Sequence, residues 1–169
     1  CRADPSRLYG VGILPMQMVG AAIVEMERAA KLGFKSVMVR PNFINGVSLA
    51  HPGFFRFWQA AQDMGMPVSI HPFPTGEMAG AHELTDRWVD ETGGFSLSDA
   101  LTFPFYSMFT LGQLIFGGVF DRFPDLKIGI MESNGSWITM LLERFDKRFQ
   151  LWKPSGRFPS CTTPPSEQF

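Results

Sequence analysis

Cysteine, net charge and long apolar segments are all scarce in this sequence. It has two cysteines, Cys1 and Cys161, and neither lies in a spacing typical of a metal-binding cysteine cluster. The formal net charge is only -1, and no apolar segment is long enough to cross a bilayer. These features argue against a membrane protein and against a nucleic-acid partner. Two reduced thiols are the expected state, which favours a cytoplasmic location.

The motifs of several common enzyme classes are missing as well. The sequence contains no Gly-x-Gly-x-x-Gly motif and no phosphate-binding loop, so nucleotide binding has no support. It also lacks the Gly-x-Ser-x-Gly elbow of serine hydrolases. Its composition is globular, with 45% hydrophobic and 18% charged residues and 17 Phe. We therefore expect a single domain over residues 1–169 with a substantial core.

Short apolar segments alternate with helical patterns along the chain. Four predicted strands are apolar on both faces, as in a buried parallel sheet: Leu8–Leu14, Ser36–Val39, Val68–Ile70 and Ile128–Met131. Four predicted helices follow them: Val19–Ala30, Phe54–Ala61, Leu111–Phe120 and Ile138–Phe149. Gly33 and Gly65 are placed to end the first two helices, and Ser133 or Asn134 to cap the last. The alternation predicts an α/β fold with parallel strands.

Two segments depart from this alternation. Residues 74–100 form a long stretch rich in Gly, Thr and acidic residues, with Trp88 in its middle. A stretch of this length after a strand is typical either of a functional lid or of an ordinary surface loop. The tail from Lys153 to Phe169 contains four prolines and is predicted to be an irregular connection outside the core.

Polar residues follow the predicted strands at the point where each strand ends. Ligands of parallel α/β folds bind at these carboxyl ends, where the sequence places Arg40, His71 and Glu132. His71 is a candidate metal ligand or proton-transfer group, and the alternative is a buried histidine bonded to a carbonyl. Glu132 is costly to bury alone, so it meets a metal, hydrogen-bond donors or a cation such as Arg40. The remaining histidines, His51 and His82, are expected to be exposed to solvent.

Arg40 has two interpretations of its own. Its guanidinium suits a bidentate contact with a substrate carboxylate. The alternative is a salt bridge to Glu132 or to another acidic residue.

Taken together, the segments resemble the amidohydrolase-related family that includes aminocarboxymuconate-semialdehyde decarboxylase and related aromatic-acid decarboxylases. The matching segments, in order, are Gly12–Gln17, Glu25–Arg28, Leu32–Phe34, Val68–Pro72, Gly117–Lys127, Glu132–Trp137, Leu142–Asp146 and Pro165–Phe169. The resemblance implies a (β/α)₈ barrel that holds one divalent metal ion, commonly zinc. His71 then matches the metal-binding histidine of the fifth strand. Glu132 ends the sixth strand, where many relatives have a histidine.

The resemblance also implies that this chain is an internal part of the barrel, roughly strands three to six. The His-x-His motif of the family's first strand does not occur in it. We expect the full-length protein to be a metal-dependent hydrolase or non-oxidative decarboxylase that acts on a small carboxylated or aromatic-derived substrate. His71 and Glu132 would bind the metal, Glu132 would also take part in catalysis, and Arg40 and Asn42 would face the substrate.

A homo-oligomer is one expected assembly of the full-length protein. The alternative to an enzyme is a degenerate barrel that serves as a non-catalytic binding or structural module. In that alternative, Glu132 pairs with Arg40 and no metal binds.

Overall fold

The centre of the fold is a four-stranded sheet in which every strand is parallel to its neighbours. The structure is a computed structural model that describes residues 3–72 and 98–168. Its strands are β1 (Val11–Ile13), β2 (Ser36–Val39), β3 (Val68–Ile70) and β4 (Ile128–Ile130), and they lie side by side in chain order. The predicted parallel α/β architecture is therefore confirmed. The first strand is shorter than predicted, because the segment before Val11 is not paired with β2.

Within residues 3–72 and 98–168, five α-helices connect and flank the strands. They are α1 (Val19–Lys31), α2 (Phe55–Asp63), α3 (Phe103–Phe116), α4 (Val119–Arg122) and α5 (Ile138–Trp152). Short 3₁₀ turns lie at Pro52–Phe54, Lys153–Ser155 and Pro165–Glu167, and a π turn at Ser98–Thr102 precedes α3. The turns after α1 and α2 contain Gly33 and Gly65, which have positive φ angles of 84° and 59° and so provide the predicted helix ends. Within the described ranges, no helix is long and apolar enough to span a membrane.

The core lies mainly between one face of the sheet and helices α1 and α2. Val37, Val68 and Ile70 from the sheet are fully buried, as are Met26 of α1 and Phe57 of α2. Burial of each large apolar side chain stabilises the fold by about 1.5–3 kcal/mol. A second cluster joins α3, α5 and the tail, and consists of Leu111, Ile115, Trp137, Leu141, Phe149 and Cys161.

The opposite face of the sheet carries no helix among the described residues, and we call it the helix-free face. A Cβ on Gly12 would contact Ala29 of α1, so Gly12 points towards the helices. Its neighbours Val11 and Ile13 point to the helix-free face, and they are 49% and 72% exposed. The prediction that the strands are buried on both faces is thus correct for β3, where all three residues are buried, but wrong for β1. The reason is that β1 lies at the edge of the sheet, so Val11 and Ile13 have a neighbouring strand on one side only, whereas β3 lies between β2 and β4.

Four details of the predicted helices and tail are wrong. The third helix begins at Phe103 rather than Leu111, and a break at Gly118 divides it into α3 and α4. Helix α5 has Trp137 at its N-cap, with no side-chain cap, so neither Ser133 nor Asn134 caps it. The tail is irregular as predicted, but it is not outside the core.

The tail is fixed to the helices by a buried cysteine and by an acidic residue. Cys161 is only 2% exposed and packs against α3 and α5. Burial raises the pKa of its thiol. Asp121 of α4 accepts hydrogen bonds from the backbone and side chains of Thr162 and Thr163. The predicted insertion at residues 74–100, with Trp88 and His82, lies almost entirely outside the described residues.

Candidate metal and substrate site

Strand register places Arg40 and His71 on the helix-free face of the sheet. Met38 of β2 pairs with Ser69 of β3, which in turn pairs with Gly129 of β4. A Cβ on Gly129 would lie 3.9 Å from the Ser69 hydroxyl, so these positions share one face. Because side chains alternate along a strand, the residues two positions after Met38 and Ser69 also point to this face. The two predicted site residues therefore meet at the carboxyl end of the sheet.

His71 is held by its backbone and by one ring nitrogen. Its backbone N–H donates to Val39 O at 3.0 Å, which continues the β2–β3 pairing by one residue. Its Nδ1 lies 2.7 Å from Pro72 O. A carbonyl can only accept, so Nδ1 carries the proton, and in the neutral ring the lone pair is on Nε2. The side chain is 30% exposed, so it is not sealed among apolar neighbours.

Glu132 lies opposite this free nitrogen. Its Oε2 is 3.6 Å from Nε2 of His71, and the Glu132 side chain is 59% exposed. This separation is longer than a hydrogen bond. Within the described residues, the basic group near the Glu132 carboxylate is the His71 imidazole and not the Arg40 guanidinium. The predicted alternative of a Glu132–Arg40 ion pair is therefore not found.

The His71–Glu132 pair fits two ligands of one divalent ion. Zinc binds histidine nitrogen and carboxylate oxygen at about 2.0–2.2 Å, so two of its ligands lie roughly 3–3.6 Å apart. The hydrogen bond from Nδ1 to Pro72 O is the kind of contact that orients a metal-binding histidine. Two ligands do not complete a site. In the part of the chain that the structure describes, no group of three or more His, Cys, Asp and Glu side chains is placed to hold a metal.

Arg40 and His71 also border the same cavity. The cavity has a volume of about 180 Å³ and lies at the carboxyl ends of the first three strands. Most of its wall is apolar, and Gln17, Arg40 and His71 are its polar side chains. Its lining residues are Ile13, Leu14, Met16, Gln17, Met38, Val39, Arg40, Ile44 and His71. A small apolar group with a carboxylate suits such a wall, since the guanidinium can pair with the carboxylate.

Asn42 does not join this cavity. It borders a separate, smaller space of about 90 Å³ next to α3, together with Phe43, Tyr106 and Phe109. The Nδ2 atom of Asn42 is buried and has no hydrogen-bond partner among the described residues. The structure thus places Asn42 beside, rather than within, the space shared by Arg40 and His71.

His51 and Ser133 are two further polar residues whose positions can be compared with their predictions. His51 is exposed as predicted, and its Nδ1 accepts a hydrogen bond from Gly53 N at 3.1 Å. Ser133 was predicted as a possible helix cap, but it is buried next to Glu132, and its hydroxyl is hydrogen-bonded to that of Ser107 in α3. No signal in the sequence distinguishes a serine that caps a helix from one that braces a turn.

The chain is similar in sequence to two decarboxylases. The chain is 31% identical over 135 residues to the 2-amino-3-carboxymuconate-6-semialdehyde decarboxylase of Dictyostelium discoideum, covering 79% of this chain and 34% of that protein. It is 27% identical over 165 residues to a gamma-resorcylate decarboxylase of Polaromonas sp., covering 93% and 48%. The chain therefore spans between about a third and a half of the length of these relatives.

Solved structures support the fold. The 5-carboxyvanillate decarboxylase of Sphingomonas paucimobilis superposes with a TM-score of 0.77 and 24% identity, covering 99% of this chain and 48% of that one. A dihydroxybenzoic acid decarboxylase of Polaromonas sp., with bound manganese and the inhibitor 2-nitroresorcinol, gives a TM-score of 0.76 and 23% identity, covering 99% and 50%. The four parallel strands and their helices are thus a section of the predicted (β/α)₈ barrel. The family model described as amidohydrolase matches residues 1–168, so this chain belongs to the amidohydrolase family.

Proposed function

We propose that the full-length protein is a metal-dependent enzyme that removes a carboxyl group, without oxidation, from a small carboxylated aromatic substrate. The observation that carries the proposal is the 3.6 Å separation of His71 Nε2 and Glu132 Oε2 at the rim of the cavity that Arg40 borders. The relatives that bear decarboxylase names favour this reaction over hydrolysis. Hydrolysis of a related substrate is the second reaction that the same residues support.

Each residue of the pair has a defined part in this proposal. His71 offers the lone pair of Nε2, and its hydrogen bond to Pro72 O fixes the ring for that contact. Glu132 supplies a carboxylate oxygen on the other side, as a ligand or as a catalytic group that holds a proton. A bound divalent ion would stabilise the negative charge that develops as the carboxyl group is lost.

Arg40 is proposed to bind the substrate carboxylate at the wall of the cavity. The guanidinium offers two parallel N–H groups, which match the two oxygens of a carboxylate. The apolar wall formed by Ile13, Met38 and Ile44 would contact the ring of the substrate and exclude water from it. Asn42 is proposed to face the substrate from the neighbouring space, where its amide N–H has no partner among the described residues.

The metal, the location and the assembly belong to the same proposal. Zinc is the ion that the family resemblance favours, and manganese is bound in two structural neighbours. A cytoplasmic location is supported by the free, buried thiol of Cys161. A homo-oligomer is proposed for the full-length protein, and sedimentation of the purified protein tests it.

The decisive experiment combines metal analysis with product analysis. The full-length protein is stripped of metal, reloaded with Mn²⁺ or Zn²⁺, and incubated with hydroxybenzoates and methoxybenzoates that carry a ¹³C-labelled carboxyl group. We expect metal-dependent release of labelled carbon dioxide. In a parallel incubation with esters and amides of the same acids, metal-dependent hydrolysis without release of labelled carbon dioxide would favour the hydrolase. A protein that binds no divalent ion and turns over no substrate would favour the non-catalytic barrel.

A further inference from the structure

Glu132 has a backbone conformation that a glutamate rarely adopts. Its φ angle is +50°, in the left-handed region that favours glycine. In a continued strand, Met131 would share the helix-free face with Gly129, and Glu132 would point to the helices. Met131 does lie on that face, since its Cε is 3.1 Å from a Cβ built on Gly129. The left-handed turn at Glu132 therefore accounts for the approach of its carboxylate to His71.

The next residue, Ser133, forms a hydrogen bond across this turn. Its hydroxyl lies 2.9 Å from Met131 O, so a hydrogen bond joins the residues on either side of Glu132. Ser133 is 2% exposed, and Trp137 Nε1 donates to its carbonyl at 2.5 Å. Both the side chain and the carbonyl of Ser133 are thus fixed.

Helix α3 supplies the remaining support. The hydroxyls of Ser107 and Ser133 are 2.6 Å apart, and both side chains are buried. Phe103 O lies 3.2 Å from the Ser133 hydroxyl. A hydroxyl has one proton, and the shorter of the two carbonyl contacts of Ser133 is the 2.9 Å contact with Met131 O. With that bond made, the Ser107 hydroxyl is the donor to Ser133. A buried hydroxyl that loses its hydrogen-bond partner is destabilising, so the two serines favour this one arrangement.

We propose that Ser133, supported by Ser107, is a positioning residue that keeps Glu132 turned towards His71. The inference rests on the proposed function for its consequence, the binding of a metal, but not for its geometry. Strain at a single non-glycine residue persists only where its surroundings enforce it. Ser133 provides that enforcement from the position directly after Glu132.

Variants of the full-length protein test this role with two readouts. The variants are Ser133→Ala and Ser107→Ala, with Ser36→Ala as the matched control. Ser36 also pairs with a serine hydroxyl, that of Ser69 at 2.8 Å, but it lies at the opposite end of the sheet. Equilibrium dialysis measures the affinity for Mn²⁺ and Zn²⁺, and crystal structures of the metal-free proteins measure the distance from Glu132 to His71.

We expect Ser133→Ala to lower metal affinity about tenfold or more, as for other residues that support a ligand. Ser107→Ala, which keeps the bond to Met131 O, should lower it less, and Ser36→Ala should leave it within about twofold. In a Glu132→Ala background, Ser133→Ala should change affinity by no more than about twofold, because the group it positions is gone. A merely structural serine would give the same loss in both backgrounds.

The crystal structures separate this proposal from the proposed function. If the wild-type protein binds no metal, the proposed function is wrong, and the structures alone decide the role of Ser133. Movement of the Glu132 carboxylate away from His71 in Ser133→Ala, with loss of the left-handed φ, supports the positioning role. An unchanged Glu132 in both serine variants overturns it.

Discussion

The carboxylate of Glu132 lies 3.6 Å from the imidazole of His71, although strand alternation alone would direct position 132 to the opposite face of the sheet. One left-handed residue produces this approach. The pair combines a nitrogen lone pair with a carboxylate oxygen at a spacing that suits one shared cation. Its behaviour on mutation therefore tests the whole functional proposal.

Replacement of His71 by alanine should remove the metal from the full-length protein. We expect the affinity for Mn²⁺ and Zn²⁺ to fall by more than about 100-fold, beyond the effect of losing a residue that only supports a ligand. Turnover should fall with metal content. Metal analysis after dialysis, together with the labelled carbon dioxide assay, measures both effects.

His51→Asn is the matched control for this variant. His51 is exposed and borders neither the cavity of Arg40 and His71 nor the space beside Asn42, and asparagine keeps an acceptor for the N–H of Gly53. Its metal content and turnover should equal those of the wild type. Retention of metal and activity by His71→Ala would instead favour the non-catalytic barrel.

Replacement of Arg40 by lysine should weaken substrate binding. Lysine keeps the positive charge but cannot donate two parallel hydrogen bonds to one carboxylate. We expect KM for an aromatic carboxylate to rise about tenfold, which corresponds to about 1.4 kcal/mol, while metal content stays unchanged. Steady-state kinetics measure the change, and Arg56→Lys on the exposed surface of α2 is the control. An unchanged KM would place Arg40 outside the substrate site.

The sequence was sufficient to predict the sheet and the residues at its rim. Short apolar strands alternate with apolar residues at helical spacing, and this alternation identifies a parallel α/β fold because strand and helix periodicities differ. Arg40 and His71 follow their strands directly, so strand position fixes the face on which they lie. The helix break at Gly118 was missed because the apolar spacing continues across it from α3 to α4.

The approach of Glu132 to His71 could not be derived in the same way. It depends on the left-handed backbone of Glu132, which the residue type glutamate does not predict. It also depends on the hydroxyl of Ser133, which pairs with that of Ser107, 26 positions earlier in the chain. Asn42 shows the same limit, since it is two residues from Arg40 but borders a different space. The local sequence pattern determines the face of the sheet on which a side chain lies, whereas tertiary contacts determine which groups that side chain approaches.

Asp121 predicts a pH dependence of stability. Burial alone would raise the pKa of Asp121, but hydrogen bonds from Thr163 and Thr162 outweigh burial and lower it. A lowered pKa means that the native state favours the ionised carboxylate, so its contribution is present above the unfolded value of about 3.9 and is lost as pH falls through the folded value. Asp121→Asn should therefore destabilise the protein at pH 7 by about 1–2 kcal/mol, allowing for partial exposure.

The difference between the wild type and Asp121→Asn should shrink as the pH falls below about 4. Urea denaturation at a series of pH values measures the free energy of unfolding of each protein. Asp125→Asn is the control, because Asp125 is exposed and no hydrogen bond to its carboxylate is found among the described residues. A difference that stays constant with pH would show that the carboxylate charge is not what holds the tail.

Gly118 links α3 to α4 in a conformation that only glycine adopts easily at this position. Its φ angle is +72°, and a Cβ would lie 2.1 Å from Ser160 O, a backbone atom of the tail. Gly118→Ala should therefore cost about 1–3 kcal/mol from strain, with a further loss as the tail is displaced. Gly20→Ala is the control, because nothing lies within 4 Å of a Cβ at Gly20 in α1, and alanine there should be neutral or slightly stabilising. Thermal unfolding compares the two variants. If Gly118→Ala proved as stable as Gly20→Ala, the tail would not be packed against the helix break.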